Sequence, residues 1–148
     1  MKAVIQRAIN ANLKVEGELI SQIDKGFVIF LGVGKEDDEI DIEKLANKIS
    51  KLRIFEDENE KMNYSIKDIG GEILLVSQFT LFADCRKGNR PSFIDAERPE
   101  RANELYLKMK ERLSQDDIMV KTGVFGADMK IEVLNDGPVT ILLDSKEL

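Results

Sequence analysis

The chain has 148 residues, with 22 basic and 28 acidic side chains, one cysteine and no histidine, and its net charge is −6. The lack of imidazole excludes Ser-His-Asp and Cys-His catalysis and metal sites with histidine ligands, and the single Cys85 excludes an internal disulfide or a four-cysteine cluster. The acidic excess argues against a protein that coats DNA or RNA irrespective of sequence. A chain of this length is expected to form one domain, residues 1–148.

The first third of the chain has the pattern of strands separated by turns. Short strand-like segments cover residues 3–5, 13–16 and 18–24. They are followed by an apolar run at residues 27–33, which is typical of a strand buried on both faces. Gly32, Gly34 and Lys35 then suggest a phosphate loop, but Ile29 stands where that loop needs a glycine. We therefore predict a simple turn into a helix.

The middle and end of the chain alternate between helix and strand patterns. Apolar residues at intervals of three to five predict one helix over residues 38–53 and a second from Pro99 to Leu113. Strand patterns cover residues 72–82, 118–120, 130–134 and 139–143. This order predicts a mixed α/β domain rather than regular βαβ winding.

Three hydrogen-bonding side chains, Ser77, Gln78 and Thr80, interrupt the second apolar strand pattern. Buried polar groups destabilise a protein unless they have partners, so these side chains serve either cross-strand hydrogen bonding or a ligand. On a strand, Ser77 and Phe79 would share one face, and Gln78 and Thr80 the other. The residues alone leave both interpretations open.

The segment 135–140 lies between two predicted strands. Asp136 and Gly137 are typical of a hairpin turn. Pro138 fits that turn poorly, because a proline just inside a strand removes a donor of the ladder. A Gly-Pro pair can instead present its carbonyl groups in an unusual direction, so this segment also has two open interpretations.

A short basic stretch, residues 86–90, contrasts with the acidic remainder of the chain. It is too short to indicate an RNA site by itself, and a solvated loop is the favoured interpretation. Cys85 beside it has no histidine partner and is interpreted as an incidental thiol. The longest apolar run is far shorter than the ~20 residues that span a bilayer, and residues 1–7 lack the apolar part of a signal peptide, so we expect a cytoplasmic protein with no membrane partner.

Taken together, the motifs resemble the D-aminoacyl-tRNA deacylase family of bacteria and eukaryotes over residues 1–144. The matching blocks are residues 6–7, 77–81, 87–93, 122–129 and 135–140. The second and fifth blocks, SQFTL and NDGPVT, are the two signature motifs. The resemblance implies a three-layer α/β/β fold with largely antiparallel strands in two packed sheets and two main helices on one face.

The resemblance also implies the reaction and the assembly. The expected reaction is hydrolysis of the ester that joins a D-amino acid, or glycine, to the 3′ adenosine of tRNA. L-amino acids would be excluded by a clash with a rigid backbone wall. The expected assembly is a homodimer with its active sites at the interface, and no cofactor, metal or DNA is expected.

The residues of that implied site match positions in this sequence. Gly137 and Pro138 of one subunit, joined by a cis peptide bond, would face the pocket of the other subunit. That pocket would contain Ser77, Gln78, Phe79 and Thr80, with Phe125 and Met129 on its lining.

Two mechanisms are compatible with the sequence. Thr80 would be a nucleophile in the first, but a hydroxyl needs an activating base, and no obvious base is adjacent to it. The 2′-hydroxyl of the tRNA would assist a water molecule in the second, with backbone N–H groups near Phe79 and Thr80 stabilising the oxyanion. The resemblance favours the second.

The alternative to an enzyme is a non-catalytic, strand-rich RNA-binding or dimerisation module.

Overall fold

A long first strand organises the fold in the computed structural model, which describes residues 1–148. The strands are β1 (Lys2–Val15), β2 (Glu18–Ile23), β3 (Gly26–Gly32), β4 (Phe55–Glu56), β5 (Met62–Tyr64), β6 (Glu72–Ser77), β7 (Met119–Thr122) and β8 (Met129–Asp144). The helices are α1 (Glu39–Lys51), α2 (Pro99–Ser114) and two short 3-10 helices, Phe79–Phe82 and Ser145–Glu147. Neither α-helix combines the length and apolar character needed to cross a membrane.

Six strands form one mixed sheet. Strand β1 pairs antiparallel with β2, β3 and β8, whereas β6 pairs parallel with β3 and with β7. Strands β4 and β5 form a separate two-stranded ribbon. The predicted mixed α/β fold with mostly antiparallel strands and two main helices is therefore confirmed, and its two strand layers belong to a single sheet that nearly closes on itself.

The two faces of β3 bury side chains in two different cores. Phe27 and Ile29 belong to the core that includes α1 and α2, while Val28 between them belongs to a second core against β1, β2 and β6. The alternation follows the two-residue period of a strand. The continuous apolar run of the sequence thus reflects burial on both faces, as predicted.

Strand β1 crosses between the two cores. Ala3 and Ile5 contribute to the core beside the helices, whereas Ala11 and Leu13 contribute to the second core. The prediction of separate strands at residues 3–5 and 13–16 was wrong, because most of the residues between them, Gln6, Ala8 and residues 10–12, remain paired with β8.

Strand β8 is also continuous, so the prediction of separate strands at residues 130–134 and 139–143 was wrong, and the hairpin-turn interpretation of Asp136 and Gly137 is excluded. Gln6 pairs with Thr140 and Ala8 pairs with Asn135, so residues 136–139 of β8 stand opposite Arg7 alone. The turn-forming residues therefore make a bulge within one strand rather than a connection between two.

Both predicted α-helices are present. Asp38 caps α1, because its side chain accepts a hydrogen bond from the N–H of Ile40 while Asp41 accepts one from the N–H of Asp38. Helix α1 ends at Lys51, since Leu52 adopts an extended conformation with ψ of 123°. Pro99 occupies the first turn of α2, where its missing N–H has no intrahelical acceptor.

The predicted strand over residues 72–82 ends early, at Ser77. The N–H of Gln78 makes the last bond to β3, donating to the carbonyl of Leu31 at 2.8 Å. The chain then turns into a 3-10 helix whose side chains pack over Gly32, where an added Cβ would lie 3.0 Å from the Cβ of Leu81. The prediction that Ser77 and Phe79 share one strand face was therefore wrong.

A buried polar cluster joins α1 to both ends of the chain. The Met1 ammonium group donates to Asp37 at 2.6 Å, and the Ser145 hydroxyl donates to Asp41 at 2.6 Å. The Lys146 ammonium group lies 2.9 Å from Asp41. Burial alone would raise the pKa of Asp41, but the hydrogen bonds from Ser145 and Lys146 lower it to about 2.

We expect Asp41→Asn to destabilise the fold at neutral pH by about 2 kcal/mol, because a carboxylate with a lowered pKa stabilises the folded state. That stabilisation is complete above the ordinary Asp41 pKa of 3.8 and disappears as pH falls toward 2. Urea unfolding should therefore separate Asp41→Asn from wild type at pH 7 and much less at pH 2.5. Glu111→Gln, at an exposed site without an ion pair, should match wild type at both pH values.

Candidate active site

A cavity of about 580 Å³ opens where β6, the first 3-10 helix, the start of α2 and the loop before β8 meet. Its lining includes Ser77, Gln78, Phe79, Phe93, Phe125 and Met129. The volume is typical of small-molecule sites, which are mostly apolar with a few polar groups. Five of the predicted site residues are thus brought together in one place.

The end of β6 fixes the polar side of the cavity. Ser77 is the last residue of β6 and pairs with Leu31, and Gln78 forms the junction to the 3-10 helix. Phe79 and Thr80 open that helix, so their N–H groups have no acceptor within it. Two backbone donors therefore lie next to the cavity at the point where the strand ends.

Phe79 is an aromatic side chain at the mouth of the cavity and is 55% exposed. Its ring contacts that of Phe93 edge-on, with centroids 5.0 Å apart and an angle of 68° between the planes. More than half of the Phe79 side chain is thus exposed, while the contact with Phe93 restrains the ring. Such a ring offers a surface on which a flat ligand can stack.

The Thr80 side chain lies beside the cavity and does not line it. Its hydroxyl oxygen accepts a hydrogen bond from Nε2 of Gln78 at 2.5 Å. An amide N–H is a donor and has no capacity to take the hydroxyl proton. This contact orients Thr80 and does not activate it.

The far wall is apolar and rests on α2. The Phe125 ring lies 5.9 Å from that of Tyr106, centroid to centroid, and the buried Tyr106 hydroxyl donates to the carbonyl of Leu75 at 2.7 Å. Burial raises the pKa of Tyr106 to about 12, so this group stays neutral and serves as a support. Met129 completes this wall at the start of β8.

Two carboxylates also lie on the lining, and sequence analysis did not single them out. Glu97 precedes α2, and its Oε1 accepts from the N–H of Arg98 at 2.6 Å. Asp128 pairs with the exposed Lys130 at 2.9 Å. No group of three or more acidic or cysteine side chains is placed to hold a metal ion.

Gly137 and Pro138 do not line this cavity. Both are exposed on β8, in the bulge opposite Arg7, and the peptide bond between them is cis. Strand β8 pairs only with β1, so its other edge has no strand partner. The predicted site residues therefore occupy two separate places within one chain.

Arg7 holds the bulge and was not predicted to do so. Its side chain is buried, and Nε donates to the carbonyl of Asp136 at 3.1 Å while Nη1 donates to the carbonyl of Ile54 at 2.7 Å. Nε also lies 3.3 Å from the Asp136 carboxylate. A charged residue within the pattern of the first strand could have indicated such a role. Its partners, Ile54 and Asp136, lie far away along the chain and are not evident from the sequence.

The chain is a small mixed α/β domain whose cavity lies beside an exposed aromatic ring and the first N–H groups of a 3-10 helix. A family model described as D-Tyr-tRNA(Tyr) deacylase matches residues 4–144. The chain therefore belongs to the D-Tyr-tRNA(Tyr) deacylase family.

Individual relatives agree over the full length. A D-aminoacyl-tRNA deacylase of Dictyoglomus turgidum is 57% identical over 148 residues, covering all of this chain and 95% of the relative. One from Clostridium botulinum strain Langeland is 57% identical over 147 residues, covering 99% of both chains.

Solved structures give the same fold. A structure named c-Myc DNA Unwinding Element Binding Protein superposes with a TM-score of 0.91 at 43% identity and covers 97% of this chain and 98% of its own. A structure described as a "probable eukaryotic D-amino acid tRNA deacylase" has a TM-score of 0.79 at 14% identity, covers 96% of this chain and 97% of its own, and supports the fold alone.

Proposed function

We propose that this chain hydrolyses the ester bond of D-aminoacyl-tRNA and releases a free D-amino acid and tRNA. The observation that carries the proposal is the cavity at the end of β6, where an exposed aromatic ring and two free backbone N–H groups stand together in a member of this family. Glycine esterified to the wrong tRNA is a second substrate, because it has no side chain to exclude.

The cavity is proposed to hold the 3′ adenosine and its aminoacyl group. Phe79 offers its exposed ring to the adenine, while Phe125 and Met129 enclose the apolar side. Ser77 and Gln78 supply polar groups at the end of β6. Binding of one terminal nucleoside suits a chain of net charge −6, which has no broad basic surface for the whole tRNA.

The chemistry needs little help because an aminoacyl ester is already activated. Water assisted by the 2′-hydroxyl of the ribose adds to the ester carbonyl, and the 3′ oxygen leaves with a proton. In this proposal the N–H groups of Phe79 and Thr80, which have no acceptor within the 3-10 helix, stabilise the oxyanion that forms. Thr80 as nucleophile is disfavoured, since its hydroxyl contacts an amide donor rather than a base.

Thr80→Ala is expected to keep single-turnover hydrolysis of D-Tyr-tRNA within roughly tenfold of wild type, about 1.4 kcal/mol of barrier. The backbone N–H and the substrate hydroxyl both survive this change. Thr80→Val, which keeps the shape of the side chain, should behave in the same way. A loss of three orders of magnitude in a correctly folded Thr80→Ala protein would restore Thr80 as the nucleophile.

The proposed active form is a homodimer in which Gly137 and Pro138 of one subunit complete the cavity of the other. Their exposure and their distance from their own cavity lining support this arrangement. The unpaired edge of β8 and the exposed Leu134 and Leu142 on the same strand offer a surface for a second copy. The rigid backbone of the bulge would then exclude an L side chain by collision.

Other functions fit the chain less well. One similar structure is named for binding a DNA element, but the acidic charge of this chain argues against DNA as a partner. A non-catalytic RNA-binding or dimerisation module would give no purpose to the free N–H groups beside the cavity. A cytoplasmic location is part of the proposal, because aminoacyl-tRNA is made and used there.

The proposal is tested by incubating the protein with D-Tyr-tRNA and, in parallel, with L-Tyr-tRNA and glycyl-tRNA. Hydrolysis of the D and glycyl esters at least about a hundredfold faster than the L ester, a difference of about 2.7 kcal/mol, is expected. Equal rates for the D and L esters would contradict the exclusion of L side chains by the bulge. Binding of tRNA without hydrolysis would favour the non-catalytic module.

A further inference from the structure

The basic loop, residues 84–92, projects from the protein beside the first 3-10 helix. Its base is closed by a pair of backbone hydrogen bonds, since Asp84 donates to Ser92 at 2.8 Å and Ser92 donates back to Asp84 at 2.9 Å. Gly88 at the tip has a φ of +93° and open space around it. The loop is thus a defined projection held by a short antiparallel bridge.

The charges of the basic loop are arranged so that its tip is cationic. Arg86 neutralises the only carboxylate of the loop, with Nε 2.8 Å and Nη2 2.7 Å from the two oxygens of Asp84. These contacts lower the pKa of Asp84, which therefore remains ionised and paired. Lys87 and Arg90 are exposed and form neither an ion pair nor a hydrogen bond within the chain.

The basic loop also stands next to the mouth of the cavity. Phe93 directly follows the closing residue Ser92, lines the cavity and contacts the ring of Phe79. A polynucleotide with its last nucleoside in the cavity would have its next phosphates near the basic loop, because Phe93, which lines the cavity, directly follows the base of that loop. The net charge of the chain is negative, but Lys87 and Arg90 make this part of the surface locally positive and able to attract phosphate.

We propose that Lys87 and Arg90 bind backbone phosphates of the single-stranded 3′ end of tRNA, and so guide the terminal adenosine into the cavity. This inference rests on the proposed function and adds a second contact to the same site. The contact is with phosphate and not with bases, because exposed cations on a loop tip read charge rather than sequence. Arg86 neutralises Asp84, so the carboxylate of Asp84 does not repel the phosphates.

The test measures binding of uncharged tRNA to the double variant Lys87→Glu, Arg90→Glu over a range of salt concentrations. The Kd is expected to rise at least about tenfold at low salt, and the slope of log Kd against log salt should fall by about 1.4, the value for two contacts to single-stranded phosphate. The matched control, Lys48→Glu with Lys61→Glu, changes two exposed cations elsewhere and should bind like wild type apart from a general charge effect.

A second readout separates this inference from the proposed function. Hydrolysis of a D-aminoacyl ester of adenosine, which carries no phosphate, should be the same in wild type and in the double variant within twofold. Equal tRNA binding by the double variant and the control would overturn the role of the loop, as would an equal loss on the phosphate-free ester. The wild-type protein could also bind tRNA through the loop in a salt-dependent way and yet hydrolyse neither D-aminoacyl-tRNA nor the D-aminoacyl ester of adenosine. That result would support phosphate binding by the loop and overturn the proposed function.

Discussion

Gly137→Ala is expected to slow hydrolysis of D-aminoacyl-tRNA at least about a hundredfold, a loss of about 2.7 kcal/mol. Gly137 has a φ of +127°, which an L residue rarely adopts. An added Cβ would lie 2.9 Å from the backbone nitrogen of Val139 and 3.3 Å from Nη2 of Arg7. The bulge must therefore shift, and a displacement of even 1 Å in a positioned group can cost on the order of a hundredfold in rate.

The matched control for this prediction is Gly17→Ala. Gly17 also has a positive φ, +82°, but an added Cβ would meet nothing within 4 Å, and the residue lies in the turn between β1 and β2. Both variants should lose about 1–2 kcal/mol of stability from the positive φ, and Gly137→Ala should lose more because its Cβ also collides with the chain. Only Gly137→Ala should lose activity, measured as single-turnover hydrolysis of D-Tyr-tRNA. Wild-type rates in a folded Gly137→Ala protein would contradict the proposed role of the bulge.

Arg7→Ala is expected to lower both stability and activity, because Arg7 ties the bulge to the segment before β4. The change removes donors from the carbonyls of Asp136 and Ile54 and leaves the Asp136 carboxylate without its cation. Breaking a buried ion pair in this way costs about 3 kcal/mol. Urea unfolding should report that loss, and hydrolysis of D-Tyr-tRNA by the protein that remains folded should fall at least about tenfold.

Two further variants show whether the effect belongs to this position. Arg53→Ala removes an exposed arginine with similar hydrogen bonds to Asn63, and should cost less than about 1 kcal/mol without change in activity. Arg7→Lys keeps the charge but has no planar fork to reach two carbonyls, so an intermediate result is expected. An Arg7→Ala protein as stable and active as the Arg53→Ala control would exclude this role for Arg7.

Much of the fold was predictable where local pattern and tertiary environment agree. The apolar run of β3 and the helical spacing of α1 and α2 each reflect burial that follows directly from the sequence. The end of β6 was not predictable, because residues 79–82 have a strand-like composition. They form a 3-10 helix, and a strand there would have no partner in β3, which ends at Gly32.

The candidate site was predictable in part for a similar reason. Ser77 and Gln78 stood out as polar groups in an apolar segment, and the resemblance to the deacylase family added Phe125 and Met129. The roles of Arg7 and Phe93 depend on contacts that local sequence does not reveal, with Asp136 at the opposite end of the chain and with Phe79 in another element. The bulge at residues 136–139 likewise exists only because β8 stays paired with β1 on both sides of it.

In the proposed dimer, one subunit provides the cavity and its partner provides the bulge that completes it. Mixed dimers of a Phe79→Ala chain and a Gly137→Ala chain, purified with two different tags, test this arrangement. Each variant alone should hydrolyse D-Tyr-tRNA far more slowly than wild type, whereas the mixed dimer pairs an intact cavity with an intact bulge at one of its two sites. We expect it to recover about half of the wild-type rate, as two-fold symmetry requires. A mixed dimer as slow as its parents would contradict a site shared between subunits.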